Sequence, residues 1–356
     1  MKKIILTGGG TAGHVTPNIA LLPKLKKLGY EIYYIGSKNG IERQLIEELN
    51  IKYFAISSGK LRRYFHKDNF TDPFRVLRGM SQAASIIKRI KPDIIFSKGG
   101  FVTVPVIMAA KLKKVPTIIH ESDYTPGLAN KIAIPFCSKV CVTFPETLNH
   151  VPKEKGIYTG SPIREDILNG DSSEGYKETG FSTNKPVIMV MGGSLGAAKI
   201  NEHIRNILPK LLDNFNVIHL CGEGKVEEGL LNKVGYVQYP YVKNQLPHLL
   251  SITDVVISRA GANSIFEFLA LKKPNILIPL SKAASRGDQI LNAESFLKQG
   301  FSEVIHEESL TDQMLLEKVE DVYKNRASYI EKMEKDSSSL GLDKIIELIE
   351  KNRGKK

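Results

Sequence analysis

The chain has 356 residues, 42% of them apolar and 25% charged, an ordinary globular composition with length enough for two α/β domains. Its net charge of +12 is lopsided: residues 1–163 carry 25 Lys and Arg against 11 Asp and Glu (+14), and 164–356 carry 25 against 27 (−2). An anionic partner is therefore expected for the first half, and the lack of any recognition-helix or RNA-binding signature argues against nucleic acid.

Ile4-Ile5-Leu6 reads as a buried strand over 3–7, and Asn18-Ile19-Ala20-Leu21-Leu22 opens a helix over about 17–28. Between them lies GGGTAGHVTP, residues 8–17. A glycine-rich strand-to-helix turn offers backbone N–H groups and the positive end of the helix to a phosphate. Gly8, Gly10 and Gly13 satisfy G-x-G-x-x-G, but a dinucleotide site also needs a carboxylate closing the second strand. That strand, Glu31-Ile32-Tyr33-Tyr34-Ile35, ends in Gly36-Ser37-Lys38, so a nicotinamide cofactor is not expected. The turn also carries His14, and an unperturbed imidazole titrates near neutrality, at about 6.5.

Further strands are expected at about 52–56, 93–96, 116–120 and 139–143, with helices at about 40–49, 73–90, 103–113 and 127–135. Lys60 to Lys67, followed by Arg75, Arg78, Lys88, Arg89 and Lys91, interleaves positive charge with Leu61, Tyr64, Phe65, Phe70, Phe74 and Leu77. Such a stretch suits an interfacial membrane contact; an amphipathic helix with a core-facing side is the alternative. Ser97-Lys98-Gly99-Gly100 closes the strand at 93–96. Gly99 and Gly100 either cradle a second anionic group, naturally a diphosphate, or simply turn the chain.

The pattern then restarts. Asn169 to Lys185 is rich in Gly, Ser, Asp and Asn and reads as a surface excursion past a domain boundary. Val187 to Met191 is a buried strand, Gly192-Gly193-Ser194-Leu195-Gly196 a third glycine turn, and 197–211 a helix. Strands follow at 216–220, 235–239, 254–258, 275–279 and 303–305. Ser194 can add a hydroxyl donor to a phosphate, and Glu267, beyond Gly261, can accept both hydroxyls of a ribose. Asp343 to Lys356 reads as a closing amphipathic helix.

No run approaches roughly 18 apolar residues, and no signal-peptide core opens the chain, so a cytoplasmic protein is expected. Cys137, Cys141 and Cys221 sit among apolar neighbours as reduced core residues, and the histidines form no metal-binding pattern.

The segments GGGTAGHVTP, SKGGFVTVP, HESDYTPGLANK, TGSPIRED, MGGSLGAAKIN, SRAGANSIFE and RGDQILNA, in that order, resemble the MurG family. These are the transferases that add N-acetylglucosamine to lipid I. The resemblance runs from the first strand to about residue 300. It implies an α/β GT-B fold, two Rossmann-like doubly wound parallel-sheet domains with an inter-domain cleft. Residues 1–163 would form the acceptor and membrane-side domain, 164–339 the UDP-sugar domain, and 340–356 a helix packing back toward the first domain.

The implied reaction is inverting. The C4 hydroxyl of N-acetylmuramic acid in lipid I (undecaprenyl-pyrophosphoryl-MurNAc-pentapeptide) attacks UDP-N-acetylglucosamine, UDP leaves, and lipid II of peptidoglycan synthesis forms. UDP-GlcNAc is a co-substrate; neither a cofactor nor a metal is implied, and no D-x-D closes a strand. The resemblance implies that Thr7, Gly8 and Gly9 line the donor from the N-terminal side and that Arg164 and Ser194 meet its diphosphate. Val242 would offer backbone groups to the uracil. Ala262, Asn263, Ser264, Ile265, Phe266 and Glu267 would surround the diphosphate and ribose, and Gln289 would hold sugar hydroxyls.

Family members often carry asparagine where this chain has Asp123, which accepts from a hydroxyl but cannot donate as an amide does. His14 is the first candidate for the base that deprotonates the acceptor, with Glu121 and Asp123 as the others. Implied partners are the anionic cytoplasmic face of the cell membrane, where the protein would sit peripherally, and other cell-wall synthesis proteins. Another GT-B lipid or natural-product transferase, a UDP-GlcNAc 2-epimerase and a non-catalytic sugar-nucleotide module are the alternatives.

Overall fold

The computed structural model describes residues 1–59, 72–193, 196–282, 285–336 and 341–354. The chain divides into two compact units, Met1–Arg164 with Ser338–Lys356, and Glu165–Ser337.

Among the described residues the first unit holds seven parallel strands: β1 (Lys2–Thr7), β2 (Tyr30–Ser37), β3 (Lys52–Ile56), β4 (Ile94–Ser97), β5 (Thr117–Glu121), β6 (Lys139–Val142) and β7 (Gly156–Tyr158). Their order is β3-β2-β1-β4-β5-β6-β7. The second unit holds six: β8 (Val187–Met191), β9 (Asn216–Leu220), β10 (Tyr236–Tyr239), β11 (Val255–Ser258), β12 (Asn275–Leu277) and β13 (Ser302–Val304), in the order β10-β9-β8-β11-β12-β13. Strand order reverses beside β1 in one sheet and beside β8 in the other. At such switch points the loops leaving the carboxyl ends diverge and open a crevice. The glycine turns after β1, β4 and β8 all lie at these ends.

Both faces of the middle of the first sheet are covered, so β1 and β4 carry apolar side chains at successive positions, Ile4-Ile5-Leu6 and Ile94-Ile95-Phe96. Ile4 and Leu6 of β1 join Ile32 and Tyr34 in one core cluster, while Ile5 joins Tyr33 and Ile35 in the other. The first cluster is completed by the closing helix Gly341–Asn352, whose Leu342, Ile345 and Ile349 are buried in it. Lys2 Nζ pairs with Glu350 at 2.6 Å and Lys24 Nζ with Asp343 at 2.5 Å, while the Tyr30 hydroxyl donates to Glu350. Full burial of an isoleucine contributes about 1.5–3 kcal/mol, so Ile345 and Ile349 outweigh these partly exposed ion pairs in holding the helix.

Every strand expected from the sequence is present within two residues. β7 was not expected, because Gly-Ile-Tyr is too short to show a period. The reading of 169–185 as an excursion needs correction: Ser172–Thr179 is a helix, with Asp171 accepting from the Ser173 N–H at 2.8 Å and Gly180 ending it in the left-handed conformation. Cap residues at both ends gave this short helix a loop-like composition. Helix 127–135 is shorter than expected, Leu128–Ala133, and continues as a 3-10 turn, Ile134–Phe136. Among the described residues no helix is long and apolar enough to cross a membrane. Cys137, Cys141 and Cys221 are buried and unbridged.

Candidate active site

In the first unit, three loops at the carboxyl ends of β1, β4 and β5 are stitched together. The Gly9 N–H donates to Gly99 O at 3.3 Å, and the Lys98 N–H donates to Thr7 O at 2.9 Å. Gly100 has φ +89°, and a Cβ there would stand 2.1 Å from Gly9 O, so only glycine permits this approach. Gly8 and Gly9 are buried, and the Thr7 hydroxyl donates to Ile35 O at 2.8 Å inside the sheet. His14 ends the 3-10 turn Ala12–His14 and is half-buried, just before the helix Thr16–Lys27.

No carboxylate closes β2, as the sequence reading expects, but one reaches that end from the helix that follows. Glu42, on the first turn of the helix Ile41–Glu47, is fully buried and folds back over the first glycine turn. It accepts from the Gly10 N–H at 3.2 Å, the Ser37 N–H at 2.9 Å and the Ser37 hydroxyl at 2.5 Å. An N–H that a phosphate would have received thus goes to an anion supplied by the chain itself. Such a turn is braced from within by the chain's own carboxylate. Sequence reasoning missed Glu42 because it lies five residues past Ser37 rather than at the strand end.

Glu121 closes β5, fully inside the protein. Its carboxylate accepts from the Asp123 N–H at 3.0 Å, the Gly127 N–H at 2.9 Å and the Asn130 amide at 2.8 Å. Burial, and then the neighbouring Asp123 charge, push its pKa up from the usual carboxylate range. Asp123 is half-exposed, and its carbonyl accepts from the Thr147 hydroxyl at 3.3 Å. Of these two candidate bases, Asp123 is the one with a solvent-reaching side chain, and Glu121 organises the loop that carries it. Asn130, likewise unremarked in the sequence, has a buried Oδ1 without a hydrogen-bond partner among the described residues, and a Cβ on Gly99 would lie 3.3 Å from it.

In the second unit, the turn after β8 packs onto the end of β9: Gly196 has φ +66°, and a Cβ would meet Cys221 O at 1.9 Å. Ser194 of this turn lies outside the described residues. The helix Ala262–Ala270 begins directly after Gly261, with its N-terminus at the carboxyl end of β11. Its burial sorts the six candidates of 262–267. Ala262 and Ile265 are buried, as is Phe266, which packs edge-on against Phe296 with centroids 5.0 Å apart. Asn263, Ser264 and Glu267 are half-exposed at positions that share one helical face. Only these last three side chains, with the helix N–H groups, face outward.

Gln289, on the helix Asp288–Gln299, accepts from the Leu280 N–H at 3.1 Å, which fixes its carbonyl end. Val242 is buried on the segment between β10 and the helix Leu246–Ser251. Arg164 is half-buried at the end of the first unit's Met1–Arg164 segment.

Two doubly wound parallel sheets with glycine turns at their switch points define the GT-B class of sugar-nucleotide enzymes. Residues 4–142 match the model of the glycosyltransferase family 28 N-terminal domain, and residues 187–349 that of its C-terminal domain. The chain belongs to glycosyltransferase family 28.

It is 60% identical over 350 residues, 98% of each chain, to a Clostridium tetani UDP-N-acetylglucosamine--N-acetylmuramyl-(pentapeptide) pyrophosphoryl-undecaprenol N-acetylglucosamine transferase. The enzyme of the same name from Clostridium novyi is 59% identical, again over 98% of each chain. Among solved structures, Acinetobacter baumannii MurG aligns over 99% of this chain and 100% of its own, with a TM-score of 0.77 and 25% identity. A Neisseria meningitidis UDP-GlcNAc 2-epimerase bound to UDP-GlcNAc shares the fold, with a TM-score of 0.69 at 15% identity over 99% of this chain and 100% of its own.

Proposed function

We infer that this chain transfers N-acetylglucosamine, with inversion, from UDP-N-acetylglucosamine to the muramyl C4 hydroxyl of lipid I and so makes lipid II. The observation that carries this reading is the 60% identity with transferases of that name along nearly the whole of each chain. The epimerase resembles this chain in fold alone.

In this reading the second unit holds the donor. Developing negative charge on the leaving UDP is met by the N-terminal N–H groups of Ala262–Ala270, by Arg164 and by Ser194, interactions that strengthen as the bond breaks. Glu267 takes the ribose hydroxyls, Gln289 the sugar hydroxyls, and Val242 offers backbone groups to uracil. The first unit binds the acceptor through the loops carrying Gly99, Gly100 and Asp123, with His14 as base.

The test is labelled UDP-GlcNAc offered to lipid I, to diacylglycerol and to no acceptor, each with and without EDTA. Label on lipid I alone, undiminished by EDTA, is the expected result. Epimerisation or hydrolysis without acceptor overturns the reading, and a loss restored by a divalent ion overturns its metal independence.

We also place the protein at the anionic cytoplasmic membrane surface, through the basic and apolar face of the first unit, near other cell-wall synthesis proteins. The stretch from Lys60 to Lys67 lies outside the described residues. On the helix Asp72–Ile90, however, Phe74 is 74% and Leu77 56% exposed, with Arg75 and Arg78 interleaved. An apolar pair this exposed beside arginines is what an amphipathic interfacial contact uses. A Phe74→Ser/Leu77→Ser double variant is expected to float with anionic vesicles several-fold less than wild type, as is an Arg62/Arg63 charge-removed variant. Equal recovery of all three removes this face as the anchor.

A further inference from the structure

One buried cluster in the first unit is not used by the mechanism above. Lys98 follows β4, and its side chain runs inward with the residue only 2% exposed. Its Nζ stands 2.8 Å from His120 Nδ1 and also donates to the Ser122 hydroxyl. On the far side of the ring, His120 Nε2 lies 3.2 Å from Gly160 O and 3.4 Å from the Thr143 hydroxyl. An ammonium can only donate, so Nδ1 must be the accepting nitrogen. The ring proton is then on Nε2, where it donates to Gly160 O. Lys98 thereby selects one neutral tautomer.

The groups facing Lys98 are His120 on β5, Glu121 and Asp123 beyond it, and Cys141 on β6. Burial brings the Lys98 pKa down to about 8, against the opposing pull of Glu121, Asp123 and Cys141. Burial, and then the Lys98 charge, hold His120 well below its usual value. A buried ammonium without such company would be strongly disfavoured; here it offsets the carboxylates of the loop that follows β5.

We propose that Lys98 is a positioning residue for the transfer. Its ammonium pins the His120 tautomer and ties the Gly99–Gly100 turn to the loop of Ser122 and Asp123, so that the acceptor meets one loop conformation. This rests on the transferase reading above and adds a residue to it. Below pH about 8 the ammonium is present and the tie is made; above it the charge is lost and acceptor use declines.

The test uses the full chain as wild type, Lys98→Met and Lys98→Arg. Histidine-labelled two-bond 1H–15N spectra across roughly pH 5.5–9 bracket the range in which an imidazole and this lysine titrate. They are paired with kcat/KM for lipid I and with UDP affinity. Wild type is expected to show His120 as the Nε2–H tautomer below pH about 8, with the pinning relaxed above it and an alkaline limb in kcat/KM for lipid I at the same pH. In Lys98→Met the His120 signal should titrate at higher pH than in wild type. Its kcat/KM for lipid I should fall about tenfold or more, the loss of one charge-assisted hydrogen bond, without an alkaline limb. UDP affinity should hold.

Lys98→Arg keeps the charge and should restore the tautomer, with the limb moved to higher pH. An unchanged His120 spectrum in Lys98→Met, or lipid I kinetics within twofold of wild type, overturns the proposal. Absence of lipid I transfer by wild type fails the transferase reading instead, and the spectra then decide the pinning by themselves.

Discussion

Replacing His14 by alanine is expected to lower kcat for lipid I by about 10²–10⁴-fold, the range for loss of a general base, with little change in the KM for UDP-GlcNAc. The residue ends a 3-10 turn whose neighbours are fixed by tight backbone packing: a Cβ on Gly8 would stand 2.4 Å from His14 O. The imidazole is therefore carried on a braced loop, and its removal should leave the melting temperature near wild type. A different split would assign a different role. If His14 only hydrogen-bonds a substrate diphosphate, KM rises while kcat stays within a few-fold, and the assignment as base is lost.

Glu121→Ala is expected to act on the fold first and on catalysis as a consequence. It removes the acceptor of three donors, the buried Asn130 amide and the partly buried Asp123 and Gly127 N–H groups. Each unsatisfied group costs about 1–3 kcal/mol, and even a partial sum consumes much of the ~5–15 kcal/mol that keeps a protein folded. A fall in melting temperature of about 10 °C follows for a unit of this size, with loss of transfer. Glu121→Gln keeps the volume and one accepting oxygen and should lie between. Thermal melts and lipid I kinetics on both variants separate the roles. If Glu121→Gln abolishes transfer while melting like wild type, Glu121 is the base rather than the brace.

Much of this architecture is legible in the sequence because backbone geometry restricts which residues it accepts. Gly100 and Gly196 adopt positive φ where another chain segment passes within touching distance, so their turns announce themselves as glycine. The β1 and β8 strands announce themselves as short apolar runs, since both faces of a parallel sheet are covered. What was not legible depends on proximity between segments distant in the chain. Lys98 and His120 are 22 residues apart and look like an ordinary lysine and a stray histidine until β4 and β5 lie side by side. Glu42 reads as a helix-surface acid until the first glycine turn folds beneath it. Ile265 and Phe266 sit inside the motif proposed here for the donor, and only burial separates these core side chains from the outward-facing Asn263, Ser264 and Glu267.

The closing helix Gly341–Asn352 has a consequence for how the protein is made. Its Ile345 and Ile349 belong to the core of the first unit, yet they are synthesised after the whole of the second. Domains generally fold as units in the order they leave the ribosome. Here the first unit emerges without part of its core, the second can mature ahead of it, and the nascent sheet waits with an uncovered apolar strip until residues 341–352 arrive.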